Sequence, residues 1–415
     1  MEPNSYKRNH YVPEWYQKRF LPHDGGPNKY FYLDLKPNVI NYALGISKKK
    51  RDLEHWGTRK SFFEDDLYTT RFGKLESTEI ERYFFGKFDR IGKTAVEEIS
   101  HFEHTNFNPR NIQNLISYMS IQKLRTPKGL LGLEHEISQP DKNKLLFAMQ
   151  KLRQMYCATW AECVWSIASA ANSPTKFIIS DHPITVYNNR CPPSTAMCIG
   201  ALEPDIRLNG THTLFPISPD KIIILTNLSW VRNPLGDALK MRPHSALFRP
   251  TLINILDIQV GRELSETEVR EINFVIKRRA FRYIAAAKKE WLYPEVHLSQ
   301  TGWSSLGAGD LLMPDPRSMS FHAESIVGYE SGAVEGFDAY GRQNWSDPAL
   351  KVIAKREMNS FLGAQGLTAK KHGPRRRGRT YSMGGLGPEF DSEEMHRIYL
   401  SYYKFNKKFK RSKKK

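Results

Sequence analysis

The stretch Thr213-Leu214-Phe215-Pro216-Ile217-Ser218-Pro219-Asp220-Lys221-Ile222-Ile223-Ile224-Leu225-Thr226 contains two apolar runs with a short polar segment between them. Runs rich in β-branched and aromatic residues are typical of buried strands, and the Ser-Pro-Asp sequence between these two is typical of a turn. The stretch therefore predicts a β-hairpin, with one strand over 213–217 and the other over 221–226. Because helical patterns lie on both sides of this hairpin, the predicted fold is a mixed one.

Helical periodicity dominates the chain before the hairpin. Thr78-Glu79-Ile80-Glu81 is a capping box, and apolar residues follow it at spacings of three and four as far as Ile99. A second helix is predicted from Asn108-Pro109 to Arg125, where Thr126-Pro127 would end it. A third is predicted over about 141–171, because apolar residues recur there with the period of a helix.

Strands and one more helix complete the predicted fold. Residues 29–35 and 176–180 are short apolar runs typical of strands, and 61–68 is a further apolar stretch near the N-terminus. A last helix is predicted from the capping box Ser265-Glu266-Thr267-Glu268 as far as Ile284. The pattern predicts an α+β fold, with a helical cluster in the first half packed on a small mixed or antiparallel sheet.

Charge is distributed unevenly along the 415 residues. The net charge is +18, but residues 351–415 contain 18 Lys and Arg against 5 Asp and Glu, a net +13. Blocks of like charge repel themselves and are expected to be flexible until they meet an anion. We therefore divide the chain into a core domain at 1–290, an appended Gly- and Ser-rich subdomain at 291–350 and a basic tail at 351–415.

The basic tail predicts binding to DNA or RNA. Each phosphate that a Lys or Arg neutralises releases counterions, so several such contacts give strongly salt-dependent binding that reads no sequence. A solubilising tail and a tail that binds an anionic membrane surface are the alternatives. The tail residues expected to bind phosphate are Arg375, Arg376, Arg377 and Arg379.

Composition predicts a soluble, cytoplasmic protein. No uncharged apolar run reaches the length of about 18 residues that spans a bilayer, and the start of the chain lacks the apolar segment of a secretory signal. The cysteines at 157, 163, 191 and 198 form no C-x-x-C pair, which argues against a zinc ribbon, and a disulfide framework is not needed. A protein partner and the oligomeric state are left open.

The segment Asn9-His10-Tyr11-Val12-Pro13 leads into an aromatic run that ends at Phe20. Pro13 suits the first turn of a helix, because proline lacks the backbone donor and has a fixed φ. A histidine near the positive end of a helix tends to stay neutral, which is the state that accepts a proton or binds a metal. His10 is therefore a candidate catalytic residue, and a structural hydrogen-bonding residue is the alternative.

Several short blocks in a fixed order carry a family resemblance. They are His10-Tyr11-Val12-Pro13 with Arg19-Phe20, Glu64-Asp65 to Tyr68, Glu81, Gln122 to Pro127, Ser180-Asp181-His182-Pro183, Phe215-Pro216-Ile217-Ser218-Pro219, and Asn273 with Ala280. Together these blocks resemble the HYVP-motif family of bacterial proteins, domain of unknown function 4238. The resemblance covers about residues 9–286 and implies no particular activity, and the basic tail lies outside it.

Carboxylates at strand ends provide a candidate metal site. Glu64, Asp65 and Asp181 are the expected ligands of Mg²⁺ or Mn²⁺, because such positions are held rigidly at an open edge of a sheet. His10, Asp181 and His182 are the candidate catalytic residues, with His10 activating water or protonating a leaving oxygen. The core residues expected to bind substrate are Asn9, Lys123 and Arg125.

Each of these residues also has a structural interpretation. Asp181 before His-Pro can cap a turn, Arg125 can cover a helix C-terminus, and the Glu64-Asp65 pair can face solvent. The leading prediction is a nucleic-acid-acting protein, a metal-dependent phosphodiesterase or nuclease with a phosphate-binding tail. The alternative is a non-catalytic nucleic-acid-binding or protein-interaction module. Convergence of His10, Asp181 and Glu64 in an open cleft would favour the enzyme.

Overall fold

The computed structural model shows an α+β protein. It describes residues 8–22, 28–41, 47–65, 67, 70–72, 75–77, 85–104, 108–137, 142–193, 195, 198, 203–243, 245, 258–306, 312–319, 325–328, 330–337, 348–373, 396–398, 400, 401 and 404. The α-helices are α1 Glu14–Lys18, α2 Gly86–Ser100, α3 Pro109–Leu124, α4 Pro127–Ile137, α5 Lys142–Glu162, α6 Leu228–Arg232, α7 Glu266–Arg279 and α8 Pro348–His372.

Most of the strands are short. They are β1 Arg8–His10, β2 Tyr30–Asp34, β3 Val39–Asn41, β4 Ser47–Lys49, β5 Leu53–Trp56, β6 Phe63–Asp65, β7 Thr70–Phe72, β8 Leu75–Ser77, β9 Val164–Ser169, β10 Ile179–Ser180, β11 Thr185–Asn188, β12 Thr211–Ser218, β13 Lys221–Thr226, β14 Gln259–Glu263, β15 Tyr283–Ala286, β16 Ser325–Gly328 and β17 Val334–Phe337. Single turns of 3₁₀ helix cover Thr58–Lys60, Lys289–Leu292, Pro294–Val296, Trp303–Ser305 and Pro316–Ser318.

A five-stranded sheet with the order β11-β12-β13-β9-β14 forms the centre of the fold. Strands β12 and β13 pair antiparallel with Leu214 opposite Ile224, so the predicted hairpin is confirmed. Strand β9 pairs antiparallel with β13 and parallel with β14, which makes the sheet a mixed one. A second sheet, antiparallel throughout, has the order β10-β15-β2-β5.

The two faces of the central sheet bury different layers, because side chains alternate along a strand. Phe215, Ile223 and Leu225 pack in one core with apolar residues of α2, α3 and α5. Leu214 and Ile224, which point the other way, pack in a second core with α7 and with residues of the four-stranded sheet. The predicted helical cluster on a small sheet is therefore confirmed, and a second layer covers the opposite face.

Helix α3 follows the sequence prediction closely. Asn108 caps its start, accepting a hydrogen bond from the backbone N–H of Arg110 at 3.0 Å, and the helix ends at Leu124 just before Thr126-Pro127. Pro127 then begins α4 instead of a loop, since proline is well suited to a first helical turn. The capping box predicted at residues 78–81 lies outside the described residues.

The third predicted helix, over about 141–171, is too long. Helix α5 ends at Glu162, and Val164–Ser169 is strand β9 in the interior of the central sheet. Apolar positions recur every three or four residues across both elements, so periodicity alone did not separate them. Pairing on both sides with β13 and β14 is a long-range event that supplies the hydrogen bonds a further helical turn would have formed.

The last predicted helix is also too long at its C-terminal end. Helix α7 has the predicted capping box, in which Ser265 and Glu268 bond reciprocally, but it ends at Arg279. Residues 283–286 instead form β15, between β10 and β2. Ala280 turns to an extended backbone with ψ 147°, and the three amides that follow are bound by the side chain of Asp181.

Helix α8 includes the beginning of the segment predicted as a basic tail. Its Phe361 is buried in a small third core with Val164 and Val231, so the helix is attached to the central part of the fold. None of the helices in the described part of the chain combines the length and the apolar character that crossing a membrane requires.

Candidate functional site

The HYVP segment joins a strand to a short helix. Asn9 and His10 lie in β1, which pairs with β6, and Pro13 precedes α1. Two amide side chains bind its backbone: Gln17 Nε2 donates to the carbonyl of Val12 at 2.7 Å, and Gln122 Nε2 donates to the carbonyl of Tyr11 at 2.9 Å. The segment is therefore anchored from its own helix and from α3.

His10 is half-buried at the start of α1. Its Nδ1 lies 3.2 Å from the carbonyl oxygen of Ser61, which only accepts hydrogen bonds, so Nδ1 carries the hydrogen. Its Nε2 lies 3.4 Å from Oε1 of Glu14, the first residue of α1. These contacts hold the imidazole between the helix start and the segment before β6. Asn9, the other polar residue of β1, is fully buried.

The three predicted metal ligands do not form a metal-holding group. Glu64 and Asp65 are exposed on β6, opposite Asn9 and Arg8 of β1. Across the residues that the structure describes, which include Glu64, Asp65 and Asp181, no three Asp, Glu, His or Cys side chains come together in a way that could hold a metal ion. The metal site stays a prediction without geometric support from these residues.

Asp181 is buried and its carboxylate is occupied by backbone. One oxygen accepts the amide hydrogen of Phe281 at 2.8 Å, and the other accepts those of Arg282 at 2.6 Å and Tyr283 at 2.8 Å. Burial raises the pKa of Asp181, against the lowering effect of these three amides. The residue thus connects the end of β10 to the start of β15; its role is structural, but the amides it binds are 100–102 residues away and not in the local turn that the sequence suggested.

Lys123 and His182, both predicted site residues, are in direct contact. Lys123 Nζ lies 2.8 Å from His182 Nε2 and donates to the carbonyl of Ile184 at 3.1 Å. On the other side of the ring, His182 Nδ1 lies 2.6 Å from Oγ1 of Thr126. Since an ammonium only donates, Nε2 is the acceptor and Nδ1 carries the hydrogen in the neutral imidazole.

Glu203 supplies a negative charge beside Lys123 and His182 Nε2. Its carboxylate binds Lys123 Nζ through Oε2 and Lys128 Nζ through Oε1 at 3.1 Å, and Oε2 lies 3.3 Å from His182 Nε2. Lys128 Nζ also donates to the carbonyl of Arg279 at 2.5 Å. We call Lys123, Lys128, His182 and Glu203 the buried ionic centre, because all four side chains are buried.

Burial determines the ionisation of the buried ionic centre. It lowers the pKa of His182 to about 4 and that of Lys123 to about 8, and it lowers the pKa of Lys128. Burial opposes the charge of Glu203, but the two lysines and His182 hold its pKa well below the usual value. At neutral pH Lys123 is therefore an ammonium, Glu203 a carboxylate and His182 a neutral imidazole, and Lys128 donates to the same carboxylate.

The buried ionic centre joins parts of the chain that are far apart in sequence. Lys123 is at the end of α3, Lys128 is in the first turn of α4, and His182 follows β10. Glu203 lies 80 residues from Lys123 and 21 from His182, and no spacing rule indicated it. Lys128, one residue beyond the Gln122 to Pro127 block, could have been suspected from its position; both residues were missed.

Arg125 is not placed to bind a substrate at the surface. Its guanidinium is buried, donates twice to Gln122 Oε1, and pairs with Asp89 of α2 at 2.8 Å. The arginine thus connects α3 to α2. The predicted phosphate-binding residues of the tail, Arg375, Arg376, Arg377 and Arg379, lie outside the described residues.

The fold and its polar interior define the class of protein, which is an α+β domain with a central mixed sheet. Within this domain the family blocks contact each other through buried side chains. Residues 8–159 and 133–290 match the family model described as protein of unknown function (DUF4238), and the chain belongs to that family. No curated protein and no solved structure matches the chain.

Proposed function

We propose that this protein is a non-catalytic nucleic-acid-binding protein that contacts the phosphate backbone through its basic C-terminal segment. The observation that carries the proposal is the attachment of α8. One side of this helix is buried against the fold, and Lys351, Lys355 and Arg356 near its start are exposed. Positive charge is thereby held at a fixed place on the surface.

The buried side of α8 is bound by specific contacts. Phe361 is 1% exposed and packs against Val164 and Val231. Gln365 Nε2 donates to the backbone carbonyls of Pro316 at 2.8 Å and Met319 at 3.2 Å. These contacts orient the helix, and they leave its basic positions near 351–356 outside the interface.

The basic positions suit a polyanion. Lys351 and Lys355 are one turn apart and therefore project from the same side of the helix, next to Arg356. Most of the net charge of the chain, +13 of +18, lies in residues 351–415. Nucleic acid presents phosphates at regular spacing, so a linear array of cations releases many counterions when it binds.

The arrangement of the carboxylates favours binding over hydrolysis. Asp181 already accepts three backbone hydrogen bonds, and Glu64 and Asp65 belong to no metal-holding group among the described residues. Metal-dependent phosphodiesterase activity therefore stays a prediction. The buried ionic centre, in which burial lowers the pKa values of His182 and of both lysines, is enclosed by protein and is better explained as a structural element.

A matched pair of variants tests the proposal. Lys351→Gln/Lys355→Gln/Arg356→Gln removes three charges from α8, and Lys87→Gln/Arg90→Gln/Lys93→Gln removes three from exposed positions of α2. Fluorescence anisotropy with labelled duplex DNA and single-stranded RNA gives the affinity between about 50 and 200 mM salt. Log affinity falls as log salt rises, and we expect the α8 variant to make this dependence less steep, by up to about 3 in the slope. The α2 variant should change the slope little.

Three outcomes would contradict the proposal. Equal losses in the two variants would mean that net charge alone attracts the nucleic acid, and absence of binding in the wild-type protein would reject it outright. Incubating both nucleic acids with the protein and Mg²⁺ or Mn²⁺ separates binding from cleavage. We expect intact substrates. Cleavage that disappears in Glu64→Gln would support the predicted phosphodiesterase activity instead.

A further inference from the structure

Two cysteines face each other beside the buried ionic centre. The Sγ atoms of Cys191 and Cys198 are 3.0 Å apart, and both side chains are buried. Backbone hydrogen bonds from Cys191 to Asn188 at 3.1 Å and from Cys198 to Thr195 at 3.0 Å hold the two positions. A disulfide bond is about 2.05 Å long, so closure requires the sulfurs to approach by only about 1 Å.

An arginine is placed at this pair asymmetrically. Arg279 Nη1 lies 3.3 Å from Sγ of Cys198, and its Nη2 donates to the backbone carbonyl of Cys191 at 2.5 Å. The guanidinium also lies over the ring of Trp303, at 4.7 Å from the centroid. A fixed positive charge next to a sulfur stabilises the thiolate, which is the reactive form of cysteine. Here the sulfur in contact with the charge is that of Cys198.

The two thiols therefore differ in reactivity. Cys198 is 7% exposed and contacts the guanidinium, whereas Cys191 is fully buried. Burial raises the pKa of the Cys191 thiol to about 12, and the neighbouring Cys198 contributes to the same effect. Cys191 stays a protonated thiol until its partner has reacted.

We propose that Cys191 and Cys198 are a redox-active dithiol that hydrogen peroxide converts to a disulfide, with Cys198 as the attacking sulfur and Cys191 as the resolving one. Arg279 is a positioning residue, since it stabilises the Cys198 thiolate. This inference is independent of the proposed nucleic-acid binding.

The reaction balances in two steps. The thiolate of Cys198 attacks one oxygen of hydrogen peroxide, the O–O bond breaks, and the products are the sulfenic acid and hydroxide, which the thiol proton converts to water. The sulfur of Cys191 then attacks Sγ of Cys198, expelling hydroxide, which takes up the Cys191 proton as water. Two thiols and one peroxide give one disulfide and two waters, and the two sulfurs lose two electrons to the peroxide.

Arg279 connects the two cysteines to the buried ionic centre. The carbonyl of Arg279 accepts the hydrogen bond of Lys128, which pairs with Glu203 in the buried ionic centre. When the disulfide forms, the Cys198 sulfur that contacts Arg279 Nη1 becomes bonded to Cys191. Arg279, at the end of α7, thus contacts both the dithiol and Lys128.

Peptide mass spectrometry tests the disulfide in the intact chain. Because there is no Lys or Arg from 191 to 206, trypsin releases both cysteines in the single peptide 191–207, and Cys157 and Cys163 together in peptide 154–176. After peroxide treatment, alkylation and digestion without reductant, we expect peptide 191–207 to lose the mass of two hydrogen atoms and carry no alkyl group. Peptide 154–176 should remain doubly alkylated. Alkylation of both peptides to the same extent would overturn the proposal.

Two serine variants test the assigned roles. With dimedone, which traps sulfenic acids, we expect Cys191→Ser to label Cys198 and Cys198→Ser to leave Cys191 unlabelled. The reverse labelling pattern would mean that Cys191 is the attacking sulfur, and it would contradict the role assigned to Arg279. Arg279→Gln should slow disulfide formation about tenfold, because the neutral amide no longer stabilises the Cys198 thiolate, and Arg279→Lys should restore much of the rate. Equal rates of disulfide formation in the folded Gln and Lys variants would mean that the charge of Arg279 plays no part in the reaction.

Discussion

Glu203 is the residue on which the buried ionic centre depends most. Its carboxylate is the common partner of Lys123, Lys128 and His182, and all of these groups are away from water. Bringing such charges together in the interior adds little net stability, because each loses its hydration. Removing one partner is different, since the charges that remain are then buried without compensation.

We predict that Glu203→Gln destabilises the protein strongly. The amide keeps the shape of the side chain but leaves two ammonium groups without a counter-ion, which costs about 3–5 kcal/mol. Urea unfolding followed by circular dichroism measures the free energy of unfolding. The control is Glu64→Gln at an exposed carboxylate, where we expect a change within about 0.5 kcal/mol. Similar values for the two variants would contradict the electrostatic account of Glu203.

His212 makes a second prediction at the scale of one residue. It is buried in β12, where Nδ1 lies 3.1 Å from the carbonyl of Gly210, and burial lowers its pKa to about 4. The unfolded chain binds a proton on this imidazole below its ordinary pKa of about 6.5, whereas the folded chain does so only below about 4. Stability is therefore lost as the pH falls from about 6.5 to about 4.

His212→Leu should weaken this pH dependence. We expect the loss of stability between pH 6.5 and 4 to be smaller by on the order of 3 kcal/mol, because leucine binds no proton in either state. Urea unfolding at several pH values measures it, with His101→Gln at an exposed histidine as the control. His182 titrates in the same direction and remains in both variants, so part of the dependence should persist. An unchanged profile in His212→Leu would show that its proton affinity does not differ between the two states.

At the scale of elements, β9 shows how local and long-range preferences compete. The segment Val164–Ser169 has apolar residues in the register of the preceding α5, and the sequence prediction continued that helix. Its neighbours β13 and β14 pair with both of its edges, and five of its six residues are buried. The hairpin, by contrast, was predictable because its two strands are adjacent in sequence and their turn has a clear signature.

The attachment of helix α8 gives a prediction at the scale of elements. Phe361→Ala should detach this helix, because Phe361 supplies the apolar contact with Val164 and Val231, and such a truncation costs about 3–5 kcal/mol. Hydrogen exchange measures the effect. We expect the protection of the α8 amides to fall by at least about tenfold and the protection of the β12 and β13 amides to stay unchanged. Ile353→Ala, at an exposed position of the same helix, should leave protection as it is. Retained protection in Phe361→Ala would mean that other contacts hold the helix.

At the scale of the whole molecule, the family blocks are brought together by contacts between distant segments. Gln122 binds the carbonyl of Tyr11, Lys123 contacts His182, and Tyr16, which lies between Pro13 and Arg19 of the first block, donates through its hydroxyl to the carbonyl of Pro216 at 2.5 Å. The blocks could be recognised one by one along the sequence. Their common role, which is to connect α1, α3 and the sheets through buried polar groups, depends on the tertiary fold.

The distribution of charge extends the nucleic-acid prediction to the whole chain. In the full-length protein, Arg375→Gln/Arg376→Gln/Arg377→Gln/Arg379→Gln should lower the salt slope for DNA further than the α8 variant, by up to about 0.9 for each phosphate that is no longer neutralised. Combining the two sets should give the sum of their effects if both bind phosphate. A combined effect no greater than that of the α8 variant would confine the interface to α8.

The sequence by itself determined the α+β class, the hairpin, the capped starts of α3 and α7, and the concentration of charge after residue 350, because these follow from neighbouring residues and from composition. Only the tertiary structure decided what the candidate site residues do. Asp181 binds three amides across 100 residues or more, and Glu203 meets Lys123 across 80. Such partners are chosen by packing and by the exclusion of water, which short-range patterns in a sequence do not encode.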